Sequence, residues 1–299
     1  MKITAVIPTK DRPNDLYKAV ISIVNQARPP DELCIVDQSS DNSSKIEVAK
    51  ALNKNSCIVV KYIHDTSILG LVDAKRVATE KSSGDLICFL EDDVVLEKNY
   101  LNEIEKGFFI NKNMVGCCGI ITNPPVYTKS QLNIFKLFHR GIFNDPRVDI
   151  YGNFDGLNHL LIPSRMISGG LSAWRSEVFE NVKFDVKNHF HMYEDIDFST
   201  RVYEYYNGKL FINPNARLAH NFSPINRDMH GQLQIRKLIE CIVYYKKRSR
   251  YQWSLTALLW LLFGLLIDAT FKSIRLKDYS IIKGYLIGVY RGTKRELYD

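Results

Sequence analysis

Over the first hundred residues the apolar positions keep changing period. "KITAVIP" is an almost unbroken apolar run of strand length, and "PNDLYKAVISIVNQA" spaces its apolar residues at helical intervals behind a Pro13-Asn14-Asp15 start signal. The same alternation continues through "ELCIVD" (strand), "SSKIEVAKALNK" (helix), "SCIVVKYI" (strand), "LVDAKRVATEKS" (helix, closed by Gly84) and "DLICFL" (strand). A βαβαβαβ pattern with short links predicts a mostly parallel sheet wrapped by helices.

Beyond residue 95 the pattern loosens. A helix is expected over 98–109, then the strand "MVGCCGIIT". A long aromatic-rich stretch with Pro124, Pro125, Pro146 and Pro163 follows, of the kind that shapes a pocket. "MISGGLSAW" resumes as a strand. "YEDIDFSTRVYEYYNG" reads as a helix starting near Glu194 and ended by Gly208, and "KLFINPNARLAHNF" as two short strands or a strand and a turn. The C-terminal stretch is different in kind. "QLQIRKLIECIVYYKKRS" is an amphipathic helix, and residues 253–267, "WSLTALLWLLFGLLI", carry no charge between the basic flanks "KKRSR" and "FKSIRLK". Fifteen residues fall short of the roughly 20 that span a bilayer. A helix lying in the interface, with Trp253 and Trp260 at headgroup level, fits better than a span, and a buried core helix is the alternative. Three segments result: 1–110 and 111–225 as two halves of one domain, and 226–299 as a helical basic and apolar region.

Charge sharpens this division. Of the net +7, residues 227–299 hold 14 Lys/Arg against 6 Asp/Glu, which leaves the first 226 residues close to neutral. A basic tail implies an anionic surface as partner, and its uncharged centre favours the cytoplasmic leaflet of a membrane over nucleic acid. Neither a signal-peptide pattern nor a CxxC pair is present. The six cysteines (34, 57, 88, 117, 118, 241) lie mostly in strand-like runs, as expected of reduced core residues in a cytoplasmic protein.

In parallel sheets ligands bind at the carboxyl ends of the strands. Those ends are Pro8-Thr9, Asp37, His64-Asp65 and Glu91-Asp92-Asp93, and three of the four carry carboxylates. Aspartate also caps turns and helices, which explains one such residue better than the whole set. Neither GxGxxG after the first strand nor GxxxxGK[ST] occurs, which disfavours a dinucleotide fold and a P-loop. Three adjacent carboxylates repel one another unless solvated or given a cation, and Mg²⁺ or Mn²⁺ bridging a diphosphate would supply it. Glu194 and Asp195 suit a helix N-terminus on electrostatic grounds alone.

The runs "AVIPTKDRP", "LCIVDQSSD", "GLVDAKRVATEKSSGDLICFLEDDV", "ISGGLSAWRSEVF" and "YEDIDFSTRV" occur in the order and spacing of family 2 glycosyltransferases with the GT-A fold, which this chain resembles over residues 3–225. The resemblance implies an inverting transfer from a nucleoside-diphosphate sugar, with UDP- or dTDP-sugars favoured and guanine's N1–H also able to serve, to a hydroxyl of a saccharide or lipid-linked saccharide in surface polysaccharide synthesis. It casts Asp37 as the partner of the base, with Pro8 and Thr9 lining the nucleoside pocket. Arg76, with Lys75 as the weaker candidate, would contact the diphosphate or nucleoside, although Val77 stands where the family usually has asparagine. Asp93 would ligate the metal, Asp92 face the ribose or sugar, and Glu91 reach the sugar or the metal through water. His220 would complete metal or diphosphate binding. Asp195 would be the catalytic base and Glu194 the acceptor orienter, while Asp197 would be structural. Gly169, Gly170 and Trp174 would form the acceptor wall, the glycines allowing close backbone approach. The implied partners are therefore the donor, the acceptor and an anionic membrane surface, without nucleic acid, and a homo-oligomer is compatible with the sequence. Two other classes remain: a metal-dependent nucleotidyltransferase, for which "PTKDRPND" lacks the glycine-rich basic loop, and an inactive protein of the same fold that docks at membranes.

Overall fold

A computed structural model describes residues 1–52, 57–125, 129–140, 161–225, 228–249 and 255–296. Pro146, Trp253 and the end of the second expected helix, Asn53-Lys54, lie outside the described residues. Two compact units are formed. The first comprises 1–124, 149–186 and 194–226; the second comprises 125–148, 187–193 and 227–299.

The first unit is built on one sheet. Strands β1 (Ile3–Thr9), β2 (Glu32–Asp37), β3 (Val59–His64) and β4 (Leu86–Leu90) alternate with helices α1 (Pro13–Val24), α2 (Ser43–Ala51) and α3 (Gly70–Lys81), as the early pattern predicts. β1 and β4, and β2 between its end residues Glu32 and Asp37, are mostly apolar and almost wholly buried, as in a parallel sheet covered by helices on both faces. β3, at the edge, is half-exposed.

Past β4 the sheet becomes mixed. It continues through β5 (Val94–Leu96), helix α4 (Tyr100–Ile110), β6 (Gly116–Ile121), the two-residue β7 (Ile162–Pro163), β8 (Leu171–Arg175) and β9 (Leu210–His220). The order is β3-β2-β1-β4-β8-β6-β9-β5, with β7 on β9. β8 runs antiparallel to β4, β6 parallel to β9, and β5 antiparallel to β9. The stretch expected to make two short strands is the single β9, carrying an irregularity opposite Cys118–Ile120 of β6 that lets it bend without breaking. α6 is the short turn Val178–Asn181. α7 (Glu194–Tyr205) starts at the expected acidic pair, and Gly208 follows it at φ +95°.

The second unit is helical: α5 (Lys129–Phe135) running into a π-helical turn (Lys136–Arg140), then α8 (His230–Ser249), α9 (Leu255–Leu276) and α10 (Ser280–Lys294). Glycines let these helices close up. A Cβ on Gly284 would stand 2.4 Å from the Gly231 carbonyl oxygen, and one on Gly288 would meet Leu238 at 2.7 Å. α9 is longer than its uncharged stretch. Ala257, Leu261, Leu265 and Ala269 are buried, whereas Leu255, Leu259, Phe263, Phe271 and Ile274 are exposed. Lys246, in the basic flank, caps the end of α10 by donating to the carbonyls of Gly292 and Thr293 (3.1 and 2.6 Å).

Candidate active site

β4 ends at Leu90, and Glu91-Asp92-Asp93 form the tight turn into β5. The register of β5 on β9 pairs Val94 with His220, so the histidine arrives beside Asp93 although the sequence separates them widely. His220 Nε2 lies 3.0 Å from Asp93 Oδ1 and 2.9 Å from Glu91 Oε2. The other Asp93 oxygen accepts from the Ser223 amide at 2.8 Å, across 130 residues of chain. Phe222, in the left-handed region at φ +49°, stacks on the His220 ring with centroids 3.9 Å apart.

Charge follows from this geometry. Burial alone would lower the His220 pKa, but the hydrogen bonds and charges of Asp93 and Glu91 carry it up to about 9. Burial works on Asp93 in the opposite sense and is outweighed by His220 and the Ser223 N–H, so its carboxyl lies below the ordinary aspartate value. One carboxylate oxygen from each of Glu91 and Asp93 and one imidazole nitrogen of His220 fall within 4.8 Å of one another. Two carboxylate oxygens and one neutral imidazole nitrogen are a donor set able to hold a divalent cation.

Asp92 turns the other way. Its Oδ2 accepts from Thr9 Oγ1 (2.8 Å) and its Oδ1 from Arg12 Nη1 (3.0 Å). Burial pushes its carboxyl up to about 6, against the pull of Arg12 and Thr9. Arg12 also donates to the Ile225 carbonyl through Nε and Nη2 (3.0 and 2.7 Å). Sequence reasoning missed both Arg12 and Ser223. Arg12 stands at a helix start where a basic residue has no evident purpose, and it is aimed by Asp11, held at φ +53° by Ser39 and Ser40 of the neighbouring loop.

At the end of β2, Asp37 is fully buried. Its carboxylate accepts from the Ser39 amide (2.9 Å) and from the Tyr62 hydroxyl on β3. Burial and this acidic neighbour raise the Tyr62 pKa far above the ordinary phenol value. Pro8 and Thr9 lie opposite Val36 and Asp37 in the β1–β2 register.

On α3 the two basic candidates part company. Lys75 is buried, with Nζ 2.5 Å from Glu194 Oε1, 3.0 Å from the Gly169 carbonyl and 5.2 Å from the centre of the Phe89 ring. Arg76, expected at the diphosphate, is tied instead to Asp73 and Glu80 of its own helix (2.9 and 2.7 Å) and is partly exposed. One residue along a helix rotates the side chain by about 100°, so only one of two neighbours can face the sheet.

Gly169 and Gly170 lie directly against the acidic groups. A Cβ on Gly169 would stand 2.1 Å from Glu194 Oε1, and one on Gly170 would stand 2.2 Å from Glu91 Oε1. Asp195 is half-buried at the start of α7 and accepts from the Ile196 amide at 2.8 Å. Asp197 is bound by its neighbour Arg201 one turn on, at 2.9 and 2.6 Å, as its structural assignment requires. Trp174 needs correction. Rather than lining an acceptor wall it is a core side chain, 2% exposed, packed over Gly116 and edge-on to Phe198 at 5.0 Å, with its indole N–H on Ser172. β8 is buried on both faces from Leu171 to Trp174, so residue 174 lies in the core.

Comparison with known proteins agrees with this architecture. A family model described as glycosyl transferase family 2 matches residues 4–183. Glycosyltransferase GlyA of Streptococcus pneumoniae is 25% identical over 62% of this chain, a match that spans 26% of that protein's length. The O-antigen chain rhamnosyltransferase WbaN of Salmonella anatum is 26% identical over 74% of this chain and 67% of its own. Among solved structures, a mannosyltransferase from Pyrobaculum calidifontis, in complex with GDP-Man and Mn²⁺, superposes with TM-score 0.63 at 13% identity, over 98% of this chain and 87% of that one. GalNAc-T7 with UDP, GalNAc and Mn²⁺ gives TM-score 0.61 at 14% identity over 83% and 49%. These likenesses establish the GT-A fold.

Proposed function

Because the chain belongs to glycosyl transferase family 2, we propose that it is a cation-dependent, inverting glycosyltransferase that moves a sugar from a nucleoside-diphosphate donor to a hydroxyl of a saccharide or lipid-linked saccharide. The observation that carries this is the Glu91–Asp93–His220 donor set at the carboxyl end of the parallel strands. UDP- and dTDP-sugars suit Asp37, since a carboxylate accepts from the imino N–H of uracil or thymine. Surface polysaccharide synthesis is the setting that the likeness to an O-antigen chain rhamnosyltransferase supports.

The residues divide the work. Asp37 and the ends of β1 and β2 receive the nucleoside. Glu91, Asp93 and His220 would hold a divalent cation such as Mn²⁺ or Mg²⁺, which would supply Lewis-acid stabilisation to the departing diphosphate. Arg12, 18% exposed beside Asp92, is a second positive group within the same unit for that leaving charge. Asp195 accepts the proton of the acceptor hydroxyl. The freed oxygen bonds to the sugar's C1 as the C1–O bond to the diphosphate breaks, and the bonding pair leaves on the diphosphate oxygen. Glu194, held by Lys75, orients the acceptor, and the backbone at Gly169 and Gly170 allows it to approach.

The exposed apolar face of α9, with Leu255, Leu259, Phe263, Phe271 and Ile274, supports an interfacial seat on the cytoplasmic leaflet. α9 is long and apolar enough to cross a membrane by length and composition, and 39% of its most apolar window is buried within the protein. That burial favours lying on the bilayer over spanning it.

The test is incubation with UDP-, dTDP- and GDP-sugars, Mn²⁺ and a membrane extract carrying lipid-linked acceptors, following nucleoside diphosphate release. Release that requires metal is expected. Release from no donor would refute the transferase proposal, and a protein that stays soluble in the presence of anionic vesicles would refute the membrane seat.

A further inference from the structure

His220 owes its place beside Asp93 to the pairing of β9 with β5, yet β5 does not hold its backbone. In that ladder the Asn221 amide donates to the Asp93 carbonyl (2.9 Å) and the Glu97 amide to the Arg217 carbonyl (3.0 Å). Hydrogen-bonded and non-hydrogen-bonded pairs alternate along an antiparallel ladder, so the pair Val94 and His220 is of the second kind. The N–H and C=O of His220 therefore point away from β5, toward β6.

The main chain of β6 does not meet them. Ile121 is its last paired residue, opposite Leu218, and the Thr122 amide adds a final bond to the Leu218 carbonyl at 2.8 Å. Two residues further on, the same register asks the amide of residue 124 to donate to the His220 carbonyl. Residue 124 is proline, which has no N–H. The Asn123 side chain takes over. Its Nδ2 donates to the His220 carbonyl (3.0 Å) and its Oδ1 accepts from the His220 amide (2.8 Å). A carboxamide offers the same donor and acceptor as a peptide unit, so it extends the ladder by one step. Pro124 also disfavours helical backbone at the residue before it, which keeps Asn123 in line with the strand.

We propose that Asn123 is a positioning residue for the cation site, holding His220 by its backbone so that Nε2 faces Asp93 and Glu91, a role that rests on these three side chains being the ligands of the cation. All four residues belong to the first unit. Phe222 holds the imidazole by its face, and Asn123 holds it by its main chain. A ligand that is free to shift binds its metal more weakly even when the ligating atom is unchanged. Asn123 is exposed, which separates this role from support of the core.

The experiment titrates Mn²⁺ into the full-length chain and reads the free ion by electron paramagnetic resonance. Asn123→Ala removes both hydrogen bonds, and Asn123→Leu removes them at nearly unchanged bulk. Both variants should bind Mn²⁺ about tenfold more weakly than wild type, the low end for losing a partner of a metal ligand. Their urea midpoints should match that of wild type. With the donor that wild type turns over, half-maximal release should need about tenfold more Mn²⁺, and release at saturating Mn²⁺ should return to within about twofold, because the ligands and the base remain. Three results overturn the proposal: Mn²⁺ affinity within about twofold of wild type in either variant, a urea midpoint that falls in step with affinity, or release that stays low at saturating Mn²⁺. A wild-type chain that binds no Mn²⁺ instead refutes the cation site on which it rests.

Discussion

Two acidic sites of the first unit, the β4–β5 turn and the start of α7, are neutralised in different ways. At the turn, Asp92 and Asp93 meet Arg12 and His220, which stand at a loop and a strand end. Glu91 there is 41% exposed. At α7, Glu194 meets Lys75, 3% exposed, in the body of a helix. Cations at loops and strand ends are exchangeable for a ligand's charges, whereas one inside a helix packed on a sheet is not. Under the proposed function the turn would receive the charge of a ligand, whereas Glu194 at the start of α7 is paired within the protein.

This contrast can be broken in four ways. The largest effect is expected at Asp195. Asp195→Asn should lower transfer by about 10³-fold, within the range for losing a general base, with nucleotide affinity unchanged by calorimetry. Parallel loss of binding would move Asp195 from base to binding group. Next comes the buried pair. Lys75→Met leaves Glu194 without its cation and should cost about 3–5 kcal/mol in urea denaturation. Glu194→Gln added to it should recover a large part, since an amide tolerates burial where a lone carboxylate does not; no recovery would mean the pair is not the source of the cost.

A carboxylate outside both sites gives a reference case, held only by partners within the fold. Glu32 at the start of β2 accepts from Thr4, Ser83 and Lys61 and is 1% exposed. Burial raises its pKa, but these partners outweigh it and bring it from 4.5 down to about 2. A depressed folded pKa gives stability that is full above the unfolded value and is lost as pH falls through the folded one. Between pH 7 and pH 3 the wild type should lose about 2 kcal/mol through this group alone. Glu32→Gln should show that much less acid sensitivity in urea midpoints measured at both pH values; an identical pH dependence would rule the group out. The smallest effect belongs to Arg76. Its partners are a half-buried and an exposed neighbour on one helix, so Arg76→Ala should change stability by about 0.5 kcal/mol or less. Nucleotide affinity should hold within about twofold, and a larger loss in calorimetry would return Arg76 to the diphosphate site.

Much of the framework was legible along the chain. β1 to β4 and their helices announce themselves because local periodicity reports local burial, and "EDD" at a strand end points to a cation. Arg12, Ser223 and Asn123 left no such signal, since each matters through a partner far away in sequence. The contrast between Lys75 and Arg76 was unreadable for a related reason: adjacent residues share a composition but not a face. Trp174 was misplaced because its glycine neighbours drew it into a pocket wall, while the position of β8 between β4 and β6, buried on both faces, put it in the core. β5, three residues long, is too short for any period to show.

What the sequence alone determined was the order of elements, the parallel half of the sheet, the place of the carboxylates at strand and helix ends, and the separate character of the basic C-terminal region. These follow from hydrophobic spacing and capping chemistry, which act over a few residues. Tertiary structure alone decided which carboxylate meets which cation. The β5–β9 register puts His220 beside Asp93, and the turn of α3 chooses Lys75 over Arg76. Those pairings depend on strand register and helix phase across long separations, and side-chain charge at such distances acts only after the chain has closed upon itself.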